Sequence, residues 1–187
     1  MAFHAAAPGR ITTRDTIGEV GLGMIAGSCA RGAKTIAVDV DDEKPELAGG
    51  IGAAHTINNR RDSSHKQLLD LTDGHGPDVI IEAAGSPATF RVTVEEAAFT
   101  GKVVYIGYAK EAVSYETAPS CRKSWMFWDR EMYSRTTFVR SFNLVEASKF
   151  PVDRAVIFIV PFEEAPVALK SWSDKPSRFK KIMVSVA

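Results

Sequence analysis

Short apolar runs alternate along the chain with longer stretches that mix apolar and charged positions. The runs at 36–38, 79–83 and 103–106 are nearly continuous, as expected of parallel strands covered on both faces. Two further strands are predicted at 156–160 and 182–186. The amphipathic stretches between them predict helices over 20–31, 43–49, Ser64–Leu71 and 87–98. Alternation of strand and helix predicts an α/β fold built on a parallel sheet with helices on both faces. No internal repeat or low-complexity tract interrupts the pattern.

Turn-forming residues fall at the expected boundaries. Ser86 is placed to cap a helix that opens on Pro87, whose missing N–H costs nothing there. Gly32 is a candidate C-cap for the first helix, and DGHGPD at 73–78 reads as a turn ahead of a buried strand. Pro45 requires its helix to start near Glu43 or Lys44. Pro151 and Pro161 bracket the run at 156–160, and Pro166 sits early in the last helix.

The segment TIGEVG at 16–21 precedes a helix and follows a possible strand at 11–13. Asp39 ends the next predicted strand, eighteen residues beyond Gly21. This is the arrangement of a dinucleotide fingerprint. Glycines let backbone and pyrophosphate approach, the helix N-terminus offers free N–H groups, and an acid receives the ribose hydroxyls. Thr16 stands where the first glycine of G-x-G-x-x-G belongs, and Glu19 brings a carboxylate near the expected pyrophosphate. The glycines also read as ordinary turn residues, and the charges at Arg14 and Asp15 suit a buried central strand poorly.

Several segments together resemble the zinc-type medium-chain dehydrogenase/reductase family, the group of alcohol, sorbitol and threonine dehydrogenases. They are GAKTIAVDVDDEK at 32–44, HTIN at 55–58, DGHGPDVIIEAAGS at 73–86 and VVYIG at 103–107. KFPVDR at 149–154 and FEEAP at 162–166 continue the likeness, which runs from about residue 16 to the end. It points to the nucleotide-binding half of the family alone.

The resemblance implies a Rossmann-type doubly wound sheet. It implies one domain over 1–187 whose last part, from about 150, returns in the family to a catalytic domain. It places Asp39 and Lys44 at the adenosine ribose, and Gly18 and Gly21, with Val20 between them, at the fingerprint. Ala83, Ala84 and Gly85 fall at the turn beside the nicotinamide ribose, and Ile106 and Gly107 at the nicotinamide ring. NAD(H) is the expected cofactor, since the Asp39 charge repels a 2′-phosphate. The family holds its zinc, proton relay and most substrate contacts in an N-terminal domain that this chain is expected to lack. Family likeness also implies a homo-oligomer formed through a sheet edge. KSWMFWDR at 123–130 departs from the small residues that the family carries near the nicotinamide. It reads as an edge strand or helix on the core, or as a surface that meets another domain or subunit.

Composition narrows the classes. Lys plus Arg and Asp plus Glu each number 23, giving zero formal charge. That balance argues against a nucleic-acid or anionic-membrane partner. Two distant cysteines, no sustained apolar run and no signal-like opening lead to the expectation of a soluble cytoplasmic protein. Cys29, Cys121 and the histidines at 4, 55, 65 and 75 show no zinc-ligand spacing. No catalytic residue is assigned, and turnover by the chain alone is not expected. Two alternatives remain: a non-catalytic interaction protein on a degenerate fold that has lost its cofactor, and another enzyme of the same fold, such as a short-chain reductase or a methyltransferase. No tyrosine has a lysine four residues on, which counts against the reductase.

Overall fold

The structure is a computed structural model that describes residues 11–13, 15–20, 22–29, 31–40, 44–60, 63–116, 118, 126–128, 139, 142–143, 145–148, 158–174 and 182–186. Its strands and helices alternate in chain order. They are β1 (Thr16–Val20), α1 (Leu22–Cys29), β2 (Lys34–Asp39), α2 (Lys44–Ile51), β3 (His55–Asn58), α3 (Ser64–Leu71), β4 (Val79–Glu82), α4 (Pro87–Glu96) and β5 (Lys102–Tyr105). β6 (Met126–Trp128) completes a six-stranded sheet of order β3-β2-β1-β4-β5-β6, parallel throughout. The order reverses between β1 and β4, which makes the sheet doubly wound and opens a crevice at the strands' C-terminal ends.

Neighbouring residues along one strand pack into different clusters, so both faces are covered. In β2, Ile36 meets Ile57 and Leu68, whereas Ala37 meets Ile25 and Ala48. In β4, Val79 and Ile81 pack with Val104, while Ile80 packs with Ala97 and Val103. Each of the valine, leucine and isoleucine side chains among them contributes about 1.5–3 kcal/mol by leaving water. Ties around the sheet fix its ends. Asp78 Oδ2 accepts from the Thr16 N–H at 2.8 Å, and Lys34 Nζ donates to the Leu71 carbonyl at the end of α3 at 2.9 Å. His65 Nδ1 lies 2.8 Å from Glu96 Oε2, linking α3 to α4.

The strand expected at 11–13 is replaced by β1 at Thr16–Val20. β1 is fixed by pairing on both sides: Thr16–Glu19 run beside Lys34–Ala37, and Ile17–Val20 beside Val79–Glu82. Asp15, one of the charges that suited a central strand poorly, lies just before the strand, and Arg14 lies outside the described residues. Asp15 closes a turn, its Oδ2 accepting from the Thr12 N–H at 2.6 Å, and of that segment Ile11 reaches the core. The segment read as a fingerprint loop is therefore mostly strand.

Other boundaries follow the chain's punctuation. α2 opens on Lys44 directly before Pro45, and α4 opens on Pro87 with Ser86 Oγ accepting from the Thr89 N–H at 3.1 Å. A second, two-stranded parallel sheet pairs β7 (Phe158–Pro161) with β8 (Ile182–Ser185). A short 3-10 turn (Phe162–Glu164) and α5 (Ala165–Asp174) connect them, with Pro166 in the first turn of α5.

Candidate functional site

The parallel register brings the C-terminal ends of four strands together around the switch point. Val20 stands beside Glu82, and Glu82 beside Tyr105, while Asp39 ends β2 on the far side of β1. Nucleotides bind at this kind of place in open α/β sheets.

Asp39 is half-buried at its strand tip. Its Oδ1 accepts from the Val40 N–H at 2.8 Å, and its carbonyl accepts from the Asn59 N–H at 2.9 Å, which ties the end of β2 to the residue after β3. Val40 is exposed, and no arginine follows directly. Lys44 opens α2 at the same end of the sheet; its side chain lies outside the described residues.

Gly18 is buried within β1, two residues before the strand ends, instead of in a loop. A Cβ there would stand 3.2 Å from Pro77 Cγ, so the local reason for glycine is strand packing. Val20 ends β1, paired with Glu82 at the end of β4. Gly21, which would form the turn into α1, lies outside the described residues.

On the β4–β5 side, small residues keep the crevice rim low. Ala83, Ala84 and Gly85 leave β4, and Ile106 and Gly107 leave β5. The two loops are pressed together. Gly85 has φ +73°, and a Cβ there would stand 2.7 Å from the Tyr108 carbonyl oxygen. A Cβ on Gly107 would collide with Glu82 Oε2 and the Gly85 backbone. Both glycines are thus required by the chain's own close packing. That accounts for them without a ligand.

Glu82 was not singled out from the sequence as a site residue, yet it organises this corner. It is fully buried, and its Oε1 accepts from the Ala84 N–H at 3.0 Å, the Gly85 N–H at 2.7 Å and the Thr89 hydroxyl at 2.6 Å. The readable signal was an acid closing the apolar run VII immediately before small residues. Beside it, Tyr105 stacks on Phe90 with ring centroids 4.5 Å apart. Burial pushes the Tyr105 phenol up to about 12, with Tyr115 and Glu82 adding to the rise and the Thr93 hydroxyl opposing it.

The remaining candidates lie elsewhere. His55 begins β3 and His75 precedes β4, both at the N-terminal side of the sheet. An open cleft of about 570 Å³, lined by Glu46, His55, Gln67 and Asp70 among others, lies on that side too, away from the crevice. Cys29 is half-buried at the end of α1, its Sγ 3.5 Å from Thr35 Oγ1. Cys121 lies outside the described residues. Among the described residues no three His, Cys, Asp or Glu side chains gather as a metal-holding set. Nor is any helix among them long and apolar enough to cross a membrane.

Comparison with known proteins agrees with this architecture. An uncharacterized zinc-type alcohol dehydrogenase-like protein from Haemophilus influenzae is 24% identical over 165 residues, which are 88% of this chain and 48% of that protein. The erythritol/L-threitol dehydrogenase of Mycolicibacterium smegmatis is 41% identical over 90 residues, 45% of this chain and 25% of that one. The alcohol dehydrogenase TADH from Thermus sp. ATN1 superposes with a TM-score of 0.91 at 23% identity, covering 100% of this chain and 55% of that one. Two further folds were solved with dinucleotides. A short chain alcohol dehydrogenase from E. coli CFT073 carries NADH (TM-score 0.89, 18% identity, 98% of this chain and 56% of that one). A zinc-binding dehydrogenase from Sinorhizobium meliloti 1021 carries NADP (TM-score 0.84, 21% identity, 90% and 52%). The chain thus spans about half the length of the relatives that it matches along most of its length. A family described as zinc-binding dehydrogenase matches residues 20–146, most of the chain, and the protein belongs to that family, as its nucleotide-binding half.

Proposed function

We propose that this chain binds NAD(H) at the β1/β4 switch point as the nucleotide-binding half of an alcohol or polyol oxidoreductase, and that it does not oxidise alcohols by itself. The observation that carries the reading is the Asp39 carboxylate at the tip of β2, beside the crevice and followed by Val40 with no arginine. A carboxylate there accepts both ribose hydroxyls and repels a 2′-phosphate. Structural relatives hold either NADH or NADP, so fold alone leaves the choice to this residue. When bound, the nicotinamide supplies a hydride acceptor or donor. The chain's own part is to seat the adenosine end at Asp39 and Lys44, the pyrophosphate along Val20 and Gly21, and the nicotinamide end against Ala83–Ala84–Gly85 and Ile106–Gly107. Gly18 serves this site indirectly, through the packing of β1.

Alcohol oxidation also needs the alkoxide stabilised as the hydride leaves, the role zinc plays in such enzymes. In this reading, the zinc and substrate contacts belong to the part of the longer relatives that this chain does not cover. The exposed apolar side chains of the β7–α5–β8 unit, among them Ile159, Phe162, Val167 and Met183, would then pack against that part. β6 lies at one edge of the main sheet, with an aromatic at each of its last two positions. It is the edge through which two copies would pair in a homo-oligomer, in a cytoplasmic setting.

Calorimetry with NADH and NADPH tests the reading. NADH is expected to bind more tightly, and Asp39→Ala to weaken it by about 1–3 kcal/mol through lost charge-assisted hydrogen bonds. Tighter NADPH binding would overturn the cofactor assignment. Absence of any dinucleotide binding would favour an interaction role. NADH formation from a panel of polyols and simple alcohols, with and without zinc, is expected to stay at background. Turnover by the pure chain would show that the active site lies within it.

A further inference from the structure

Burying a carboxylate in an apolar strand is costly unless its oxygens are well bonded. Glu82 is the last residue of β4, and no part of it reaches solvent. It spends its polar groups on two loops at once. Oε1 receives the Ala84 and Gly85 N–H groups and the Thr89 hydroxyl, which fixes the turn from β4 into α4. Its main-chain carbonyl receives the Ile106 and Gly107 N–H groups at 2.8 and 3.0 Å, which fixes the exit from β5. Oε2 is buried against Gly107 and has no hydrogen-bond partner among the described residues. An alanine or valine would fill the strand position without the desolvation penalty but would leave two loop amides without this acceptor.

We propose that Glu82 is a positioning residue for the nicotinamide end of the cofactor, setting the spacing between the 83–85 and 106–108 loops. This rests on the dinucleotide reading above and adds to it the residue that shapes one end of the site. The adenosine end lies across β1 at Asp39, and none of the Glu82 bonds described above reaches it. A positioning role therefore separates the two ends of the ligand, whereas a purely structural role weakens both.

The test compares NADH and AMP affinity, by calorimetry, in the wild-type chain and in E82A, E82Q and T89V. E82A is expected to bind NADH about tenfold more weakly, the loss of a charged hydrogen-bond acceptor, with AMP affinity unchanged. E82Q keeps an oxygen acceptor and is expected to rescue NADH affinity to within about threefold. T89V removes one donor and leaves the carboxylate in place; it is expected to cost about threefold for NADH and nothing for AMP. Amide exchange in E82A is expected to quicken at Ala84 and Gly85 while Ile36 and Ile81 stay protected. Unchanged NADH affinity in E82A, or a parallel loss of NADH and AMP, overturns the inference. Should E82A fail to fold, T89V decides in the same way. A wild-type chain that binds neither ligand overturns the dinucleotide reading and this inference with it.

Discussion

Replacing Gly85 by alanine tests how tightly the two loops at the crevice are pressed together. Gly85 has φ +73°, where an L side chain costs roughly 1–2 kcal/mol. A less flexible unfolded chain returns about 0.4–1 kcal/mol of that. The new methyl would also stand 2.7 Å from the Tyr108 carbonyl oxygen and 2.9 Å from its nitrogen, where ordinary contact begins near 3.4 Å. Those neighbours are backbone, so the 106–108 loop must move, and shifts of this kind cost about 1–3 kcal/mol. The expected net loss is about 2–3 kcal/mol. Gly74 provides the control: its φ is +80°, yet nothing lies within 4 Å of its would-be Cβ, so Gly74→Ala carries only the dihedral cost. Urea unfolding of the two variants beside the wild type, with the slopes required to agree, isolates the close approach. The reasoning fails if Gly85→Ala is within about 0.5 kcal/mol of Gly74→Ala, a difference of the size that distant surface changes produce.

Three further outcomes are expected. Ser86→Ala removes the oxygen that accepts from the Thr89 N–H and should cost about 1 kcal/mol in urea unfolding; an unchanged midpoint would mean that the cap contributes nothing. Because the folded Tyr105 pKa of about 12 lies above its ordinary 10.0, this residue leaves stability intact below pH 10 and erodes it as pH rises towards 12. Tyr105→Phe should flatten that alkaline slope, and a slope that persists would place the cause elsewhere. Light scattering at micromolar concentration should find a dimer or larger assembly, and a clean monomer would remove the proposed β6 edge contact.

Where apolar runs were continuous the fold was legible. β2, β4 and β5 lie within a residue or two of expectation, and α3 spans Ser64–Leu71 as read. Ser86 before Pro87 marked the start of α4 because capping chemistry is local. β1 was misplaced because Thr16, Gly18 and Glu19 give it no hydrophobic contrast; partners on both sides define it, and pairing is not written in a single segment. β3 was recognised by likeness and not as a strand, since Ile57 is its one fully buried residue. Of the proposed site, the place of Asp39 at the tip of β2 was legible from spacing. Gly85 and Gly107 were placed, but their cause, the contact between two loops, was not readable. Glu82 was missed because a hydrogen-bond cage around one carboxylate leaves no mark on periodicity.

The strand order also dictates when the sheet can be finished. β1 is central, yet one of its edges waits for β4, and the tie from Thr16 to Asp78 spans 62 residues. At a ribosomal pace of roughly 5–20 residues per second, that edge stays open for about 3–12 s after β1 has been made. Closing so long a loop must precede the contacts that reward it, which slows folding of parallel sheets. Through that interval the nascent chain presents an unpaired strand edge on which another chain can template. Expression yield should therefore depend on synthesis rate and chaperone supply more than on the stability of the finished sheet.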